Sequence, residues 1–372
     1  MPHTTVDAIA TGNPPLRQSQ EDIAAFMGRI ESLPDALKSR LPALYRGSAI
    51  DARYTCVPDY GRTDATNFTF FPPNWSLKPV PSTEERNEHY RASVVPLAED
   101  VGQRALEASD STADDITHVI AVSCTGFFAP GLDVELVKRL GLSPTTQRTV
   151  IGFMGCYAAF NALRVADSFC QSNPDARVLI VCAELCTLHF QVKDSLEDVV
   201  VNSLFSDGAA AAVLSSREAS EARGRLAYID GGSHLDDDSM EDMTWAIGDT
   251  GFKMGLSSRV PDVVGENLPD YVDNLLSPHG LTQDDLDFWA IHPGGRRIVE
   301  GARETLGLSE AQVADSLAIL RQYGNMSSPT ILFVLKRILD RRAEGDGAPP
   351  EHGVAMAFGP GLTIEGALFQ RV

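Results

Sequence analysis

The chain of 372 residues has no apolar run of the roughly 18 residues that a membrane-spanning helix needs. Its first residues also lack a basic region followed by an apolar core, so we expect no secretory signal. The six cysteines form no regular disulfide framework, which favours reduced thiols and a cytoplasmic location. These absences argue against a membrane protein and against a small disulfide-stabilised domain.

Basic residues are scarce. The 31 Lys and Arg residues face 51 Asp and Glu residues, and the net charge is -20. Nucleic-acid binding is disfavoured because phosphate affinity comes from clustered Lys and Arg. An anionic ligand would need a local basic patch, for which the best candidates lie between Lys38 and Arg46 and at Arg53. A solvated helix face that carries these side chains is the alternative.

Strand-like runs alternate with helical stretches, the pattern of an α/β chain. The predicted strands are 116–122, 177–182, 209–214, 286–291 and 353–358, and the predicted helices are 133–140, 157–169 and 331–342. A chain of this length exceeds the usual single-domain core. The polar link 215–225 therefore predicts a division into residues 1–225 and 226–372.

Three separate segments each place one reactive side chain where an apolar run ends near glycine. Cys156 follows 149–155, which contains two glycines, and precedes the small-residue start of a helix. A thiolate at a helix N-terminus and beside a histidinium has a lowered pKa, so Cys156 is a candidate nucleophile. A small buried hydrophobe is the alternative, and it fits Cys56, Cys170 and Cys182 better.

His292 and Asn325 are the other two reactive residues. His292 ends the predicted strand 286–291 and precedes Pro293 and two glycines, so its imidazole can pair with a thiolate and donate to a carbonyl. Asn325 can donate its amide to the same oxygen, although asparagine is also common in turns. Ser328 before Pro329 already predicts a helix N-cap, which leaves Asn325 available for another role.

With these segments, the motifs 204–211, 252–261 and 357–363, together with Pro81, Arg86 and Tyr90, resemble the type III polyketide synthases, the chalcone synthase family of the thiolase superfamily. The resemblance covers nearly the whole chain. It implies a five-layer αβαβα fold built from two similar halves, with Cys156 from the first and His292 and Asn325 from the second. It also implies a homodimer.

The same resemblance implies the reaction. An acyl-CoA starter loads on Cys156, malonyl-CoA decarboxylates, and repeated Claisen condensation and cyclisation follow, without a metal or redox cofactor. Family positions carry over as the gatekeepers Phe205 and Phe252. The cavity positions are Cys124, Thr125, Cys186, Leu188, His189, Met243 and Ser327. Arg40 matches a position that binds CoA phosphates, and Arg46 lies one residue from another.

Met243 and His189 stand where plant members have smaller residues, whereas Cys124 and Ala129 are small. We therefore expect a fatty or short aliphatic starter and alkylpyrone or alkylresorcinol products. Tetrahydroxynaphthalene from malonyl-CoA alone is the alternative within the family. A single-condensation beta-ketoacyl synthase and a non-catalytic acyl-CoA-binding scaffold are the alternatives outside it.

Two groups of residues suggest metal binding only superficially. Cys182, Cys186 and His189 lack a further ligand nearby to close a zinc site. The acidic run 236–242 does not have the spacing of an EF-hand, so a solvated acidic loop is expected. The sequence therefore predicts no metal site.

Overall fold

The structure is a computed structural model that describes residues 3–192, 195–218, 224–342 and 351–371. The strands are β1 (His3–Gly12), β2 (Leu16–Ser19), β3 (Ala52–Thr55), β4 (His118–Ser123), β5 (Gln147–Gly152), β6 (Arg177–Leu185), β7 (Asp207–Arg217), β8 (Leu226–Leu235), β9 (Met243–Gly248), β10 (Gly251–Leu256), β11 (Leu286–Ile291), β12 (Glu351–Gly359) and β13 (Thr363–Arg371). The helices are α1 (Gln20–Arg29), α2 (Asp35–Lys38), α3 (Leu41–Gly47), α4 (Thr83–Ala108), α5 (Leu132–Arg139), α6 (Ala158–Ser172), α7 (Leu196–Leu204), α8 (Val260–Leu276), α9 (Arg296–Thr305), α10 (Glu310–Tyr323) and α11 (Thr330–Arg342).

Nine strands form one mixed sheet in the order β11-β12-β13-β8-β1-β7-β6-β4-β5. Five of them come from the first half of the chain and four from the second. The two groups meet where Thr4–Val6 of β1 pair antiparallel with residues 226–228 of β8. The predicted strands 116–122 and 177–182 are parallel neighbours in this sheet, as β4 and β6.

Alternating side chains along each strand pack on opposite faces, since successive residues of a strand point to opposite sides. On β7, Ala209, Ala211 and Val213 pack in one apolar cluster with α4. The intervening Ala210, Ala212 and Leu214 pack in a second cluster, which contains α6 and α11. Both faces of this strand are therefore buried beneath helices.

The second half repeats this arrangement on β12. Ala355 and Ala357 join the cluster of α6 and α11, whereas Val354 and Met356 pack with α8 and α9. The order of layers is α4, first sheet half, α6 with α11, second sheet half, and α8 with α9. The predicted five-layer αβαβα arrangement is confirmed.

In the central layer, α6 carries small side chains. Ala158, Ala159, Ala162 and Ala166 of α6 are all buried. This helix begins two residues after Cys156, and α11 begins five residues after Asn325. The layer that both sheet halves cover therefore holds two of the three candidate catalytic segments.

The predicted link 215–225 differs in part from the structure. Residues 215–217 continue β7, and 219–223 lie outside the described residues. In the described parts of the chain, no helix combines the length and apolar character needed to cross a membrane.

Candidate active site

Cys156 lies in a tight turn between β5 and α6. Phe153 and Gly155 both have positive φ, of 60° and 83°. A Cβ on Gly155 would lie 2.4 Å from Cδ of Pro360, so only glycine fits this turn. The amide of Gly155 donates to Sγ of Cys124 at 3.1 Å. The turn brings the Cys156 thiol to a cavity inside the protein, and Cys156 is 6% exposed.

His292 follows the last residue of β11, and its amide donates to the carbonyl of Met356 at 2.8 Å. The residue is 1% exposed. Neither of its ring nitrogens has a hydrogen-bond partner among the described residues. Burial lowers the pKa of His292 to about 3, so the imidazole is neutral at physiological pH. A buried imidazole without partners is costly, which suggests that a ligand supplies them.

Asn325 lies between α10 and α11 and is fixed through backbone and side chain. Its amide donates to the carbonyl of Leu204 at 3.0 Å, and its carbonyl accepts from Ser206 at 2.8 Å. Its side-chain oxygen accepts from the amide of Ser327 at 2.8 Å, and its Nδ2 donates to the carbonyl of Gly294 at 3.1 Å. Asn325 is therefore a turn residue that still has one Nδ2–H to offer.

The structure brings His292 and Asn325 together at Gly294, and Asn325 in turn contacts Cys156. A Cβ on Gly294 would lie 3.8 Å from Nε2 of His292 and 3.9 Å from Nδ2 of Asn325. Hydrogen bonds with the side chains of Ser327 and Asn325 lower the pKa of the Cys156 thiol. Glycine at 294 leaves open a space that both nitrogen atoms border, and Asn325 connects this space to the thiol.

The protonation states differ from the expected thiolate and histidinium. Burial raises the pKa of Cys156 to about 11, and the nearby Glu184 carboxylate adds to the rise. The hydrogen bonds with Ser327 and Asn325 offset only part of it. Desolvation disfavours the charged form of both the thiol and the imidazole. The free site therefore holds a neutral thiol and a neutral imidazole.

The cavity at Cys156 has about 950 Å³ of empty space, its opening to solvent included. Of the predicted positions, its lining contains Cys124, Thr125, Cys186, His189, Phe205 and Ser327. The others lie behind this wall. Leu188 is buried and accepts a hydrogen bond from Arg86, Met243 packs in the apolar cluster of α8, and Phe252 stacks on His189.

Family models of known proteins match almost the full length of the sequence. The N-terminal domain of chalcone and stilbene synthases matches residues 2–218, and the C-terminal domain matches residues 236–372. The chain belongs to this family. Its members are type III polyketide synthases, transferases that catalyse decarboxylative Claisen condensation on CoA-linked substrates without a separate cofactor.

Individual relatives of this polyketide synthase support the same family membership. It is 36% identical to the alpha-pyrone synthesis polyketide synthase-like Pks18 of Mycobacterium tuberculosis, over 99% of this chain and 92% of that protein. It is 32% identical to a 3,5-dihydroxyphenylacetyl-CoA synthase of Amycolatopsis orientalis, over 90% and 87%. The crystal structure of PKS-I from the brown alga Ectocarpus siliculosus superposes with a TM-score of 0.93 at 38% identity, covering 100% and 99% of the two chains.

Some residues at the site of this polyketide synthase were not predicted from the sequence. Trp245 lines the cavity, and its indole N–H donates to the carbonyl of Cys124 at 2.9 Å. Glu184 is fully buried behind the wall, and Ser328 donates its hydroxyl to this carboxylate at 2.8 Å. Ser328 was predicted to cap α11, but its hydroxyl has this other partner. Tryptophan is scarce in this chain, with three residues, and its place before a glycine turn was the available signal.

The arginines of the polyketide synthase differ in environment. Arg40 and Arg46 are exposed at the two ends of α3, a helix that packs against α7 of the cavity wall. Arg53 is 4% exposed, lines the cavity, and donates to the carbonyls of Asn202 and Phe205 at 2.8 Å and 2.6 Å. Arg53 thus helps to hold the cavity wall.

Proposed function

We propose that this enzyme loads an acyl-CoA starter on Cys156 and extends it with malonyl-CoA. The observation that carries the proposal is the buried His292 imidazole. It has no hydrogen-bond partner among the described residues, and it lies near the Asn325 side-chain amide, which hydrogen-bonds to the Cys156 thiol. A thioester oxygen in the space above Gly294 would accept hydrogen bonds from both nitrogens.

The first step is acyl transfer. The Cys156 thiol gives its proton to His292 as Sγ attacks the thioester carbonyl of the starter. The bond between the acyl carbon and the CoA sulfur breaks, and the CoA thiolate leaves with the proton from His292. The neutral imidazole of the free site suits this role because it can accept a proton before it returns it.

The second step is decarboxylation of malonyl-CoA. The bond to the carboxylate breaks, CO₂ leaves, and the electron pair moves to the thioester oxygen as an enolate. His292 and Asn325 each donate one N–H to this oxygen. The carbanion then attacks the acyl-Cys156 carbonyl and forms the new C–C bond, while Sγ leaves as the thiolate and takes a proton from water. The extended chain on CoA can return to Cys156 for another round.

Substitution of His292 or Asn325 tests these roles. Loss of one preformed donor at an oxyanion typically costs about 2.7–4 kcal/mol. We expect His292→Ala and Asn325→Ala each to lower kcat for malonyl-CoA decarboxylation by roughly 10²–10³-fold. His279→Ala is the matched control, because His279 is partly exposed and pairs with Asp230 on the surface. Decarboxylation at the normal rate in either active-site variant would contradict the assignment.

We propose an aliphatic acyl-CoA as the starter and alkylpyrones or alkylresorcinols as products. Apolar or small side chains such as Ile23, Val201, Cys124 and Cys186 form much of the cavity. The similarity to an alpha-pyrone synthesis protein supports the same product class. Ala129, which we expected to leave room for the chain, lines a separate depression with Phe127 and Pro130. The cavity at Cys156 is therefore the proposed site of the chain.

Mass spectrometry of the products tests this choice. Purified enzyme receives malonyl-CoA with and without acyl-CoAs of graded length. Pyrones or resorcinols that appear only with alkyl starters support the proposal. A pentaketide from malonyl-CoA alone favours the tetrahydroxynaphthalene alternative, and a single β-ketoacyl product favours the single-condensation enzyme. Cys156→Ala should form none of these products.

We propose that CoA enters the cavity from the side on which α3 lies. Arg40 and Arg46 are exposed there and form no ion pair with a described residue, so they can bind phosphates. Phe205 lines the cavity and Phe252 stacks on its wall, as proposed gatekeepers. Arg40→Ala with Arg46→Ala should raise KM for malonyl-CoA without a change in kcat. An unchanged KM would reject these two residues.

A homodimer is proposed from family membership. Val150 on the edge strand β5 is 55% exposed, and the neighbouring Phe127 is 38% exposed. Apolar side chains at a sheet edge are commonly covered in an assembly. Light scattering during gel filtration should give twice the mass of 40.2 kDa. Val150→Asp is expected to shift the mass towards the monomer, and a monomeric wild type would contradict the assignment.

A further inference from the structure

The turn that holds Asn325 is hydrogen-bonded to the C-terminal end of α7. The amide of Asn325 donates to the carbonyl of Leu204 at 3.0 Å, and the carbonyl of Asn325 accepts from the amide of Ser206 at 2.8 Å. Phe205 lies opposite Asn325 in an isolated parallel bridge. The position of Asn325 therefore depends on the position of residues 204–206, which connect α7 to β7.

Arg53 of β3 binds the same end of α7. Its Nη1 donates to the carbonyls of Asn202 and Phe205 at 2.8 Å and 2.6 Å, and its Nε donates to Oε1 of Gln20 at 2.9 Å. The last carbonyls of a helix have no partner within the helix and form the negative end of its dipole. A guanidinium cation is well suited to bind them, because its N–H groups are charged donors in a fixed plane.

The carbonyls of residues 202–205 all have partners at this end of α7. Arg53 binds the first and the last of them. Nε2 of Gln20 donates to the second at 2.7 Å, and the amide of Asn325 donates to the third. Arg53 and Asn325 are thus bound to one short stretch of backbone, and the carbonyl that Asn325 uses lies between the two that Arg53 uses.

The aliphatic part of Arg53 packs directly against the turn that holds Asn325. Gly324 has a φ of 72°, and a Cβ there would lie 3.0 Å from Cγ of Arg53 and 3.0 Å from the carbonyl oxygen of Leu204. Arg53 is 4% exposed, and its guanidinium carbon lies 5.9 Å from the ring centroid of Tyr45. Arg53 is therefore enclosed, and it contacts both the end of α7 and the residue before Asn325.

We propose that Arg53 is a positioning residue that holds the Asn325 side-chain amide where the enolate oxygen forms. The bonds of Asn325 with Ser327 and Gly294 orient its side chain within the turn, whereas Arg53 fixes the position of the turn itself. Without the guanidinium, two carbonyls at the end of α7 lose their partner, and this end of the helix can shift. This inference rests on the proposed function, because it concerns Asn325 as an oxyanion donor.

Arg53→Met tests the inference, because methionine keeps an apolar stem and loses every hydrogen bond of the guanidinium. Two rates are measured: release of CO₂ from malonyl-CoA, and acylation of Cys156 by hexanoyl-CoA, followed by mass spectrometry of the protein. In the proposed mechanism Asn325 acts in decarboxylation and not in acylation. A shift of about 1 Å at a catalytic group can cost roughly 10²-fold in rate, so we expect kcat for decarboxylation to fall by about 10–10²-fold. The acylation rate should not change.

A double-mutant cycle shows whether Arg53 acts through Asn325. If it does, Arg53→Met should lower decarboxylation no further in the Asn325→Ala background. Losses that multiply would mean that Arg53 acts at another group, and they would reject the inference. Arg17→Met is the matched control, because Arg17 is exposed on the neighbouring strand β2, opposite Tyr54. It should leave both rates unchanged.

Arg53→Lys covers the case in which Arg53→Met does not fold. Lysine keeps the charge, but it is shorter and has one nitrogen, so it cannot hold Gln20 and both carbonyls in the same geometry. We expect an intermediate loss in decarboxylation with normal acylation. Equal losses in the two rates, or decarboxylation at the wild-type rate, in either folded variant would overturn the inference. Normal decarboxylation by Asn325→Ala would overturn the proposed function instead.

Discussion

The protonation state of Cys156 decides how the enzyme behaves before substrate arrives. Burial raises the pKa of this thiol to about 11, and it lowers the pKa of His292 to about 3. In the proposed mechanism, the thiolate forms only when substrate enters and the proton of the thiol passes to His292 during attack. Such an arrangement protects the thiol from oxidants and alkylating agents, which react with the thiolate.

Alkylation of the free enzyme tests this state. We expect the rate of iodoacetamide reaction at Cys156 to rise about tenfold per pH unit from pH 7 to 10, because the thiolate fraction rises in that proportion below the pKa. The reaction is followed by mass spectrometry of the peptide that contains Cys156, with Cys156→Ala as the blank for the other cysteines. A rate independent of pH above about 7 would instead demonstrate an ion pair with His292.

Glu184 is a buried carboxylate that accepts hydrogen bonds from the amide of Cys124 and from the hydroxyls of Ser123, Thr125 and Ser328. Even so, burial raises its pKa from 4.5 to about 7. The folded protein therefore holds this proton more tightly than the unfolded chain does. The resulting stabilisation is complete below pH 4.5 and is lost as the pH rises through 7.

Glu184→Gln isolates this contribution, since the neighbouring hydroxyls can reorient to accept from an amide. The free energy of unfolding of wild type minus that of Glu184→Gln should fall by about 3 kcal/mol between pH 4.5 and 7. Urea unfolding at several pH values measures the difference. A difference that stays constant across this window would show that Glu184 has no raised pKa.

At the residue scale, the sequence indicated those reactive residues that have a recognisable local sequence context. Cys156, His292 and Asn325 stand beside glycine at the ends of apolar runs, and the structure brings them together. Trp245 and Glu184 have no such local signal. Their positions depend on pairing between β9 and β10 and on the neighbour of β6 in the sheet, which are contacts distant in sequence. The hydroxyl of Ser328 bonds to Glu184 for the same reason.

At the scale of elements, the turn between β5 and α6 depends on one glycine. Gly155 has a φ of 83°, and a Cβ there would lie 2.4 Å from Cδ of Pro360. Gly141 has a φ of 67° after α5, but a Cβ there would meet nothing within 4 Å. The two positions share the left-handed backbone and differ in the close contact.

Alanine substitutions at Gly141 and Gly155 therefore distinguish the effect of backbone strain from the effect of moving the turn that holds Cys156. Gly141→Ala should lower the free energy of unfolding by about 1–2 kcal/mol and leave kcat unchanged. Gly155→Ala must also move Pro360 or Cys156, and a shift of about 1 Å at a catalytic group can cost roughly 10²-fold in rate. We expect that loss in kcat for condensation. Equal kcat in the two variants would contradict the role of the close contact.

Elements with a strong apolar pattern were predictable, and those defined by long-range pairing were less so. The predicted strand 286–291 has the bounds of β11. The predicted helix 331–342 corresponds to α11, which begins one residue earlier and ends at the same residue. Most side chains of β11 and those of the first turns of α11 are buried, so an apolar run suffices to indicate them. The β9–β10 hairpin was not predicted, because its exposed Ala246 and Ile247 interrupt the apolar alternation.

At the scale of the whole molecule, the two halves share more than an interface. The proposed division at residue 225 falls just before β8, which pairs with β1 of the first half and β13 of the second. Asp7 of β1 is paired with both Arg217 and Arg225 at 2.6 Å. Arg164 of α6 pairs with Glu365 of β13 at 2.8 Å. The central helices are covered by both sheet halves, so neither half can bury its inner face alone.

We therefore expect the halves to unfold together. Trp75 packs against Phe26 and Phe68 in the first half, whereas Trp289 is buried in the second, so each reports on its own half. The protein with Trp75 alone is Trp245→Phe with Trp289→Phe, and the protein with Trp289 alone is Trp75→Phe with Trp245→Phe. In urea, the emission midpoint of each should coincide with the midpoint of far-ultraviolet circular dichroism in the same protein. The two midpoints are compared within the same variant because a substitution can itself lower the stability of that variant. An emission midpoint that precedes the loss of helix in either protein would mean that one half unfolds first, and the shared central layer would then not couple the halves.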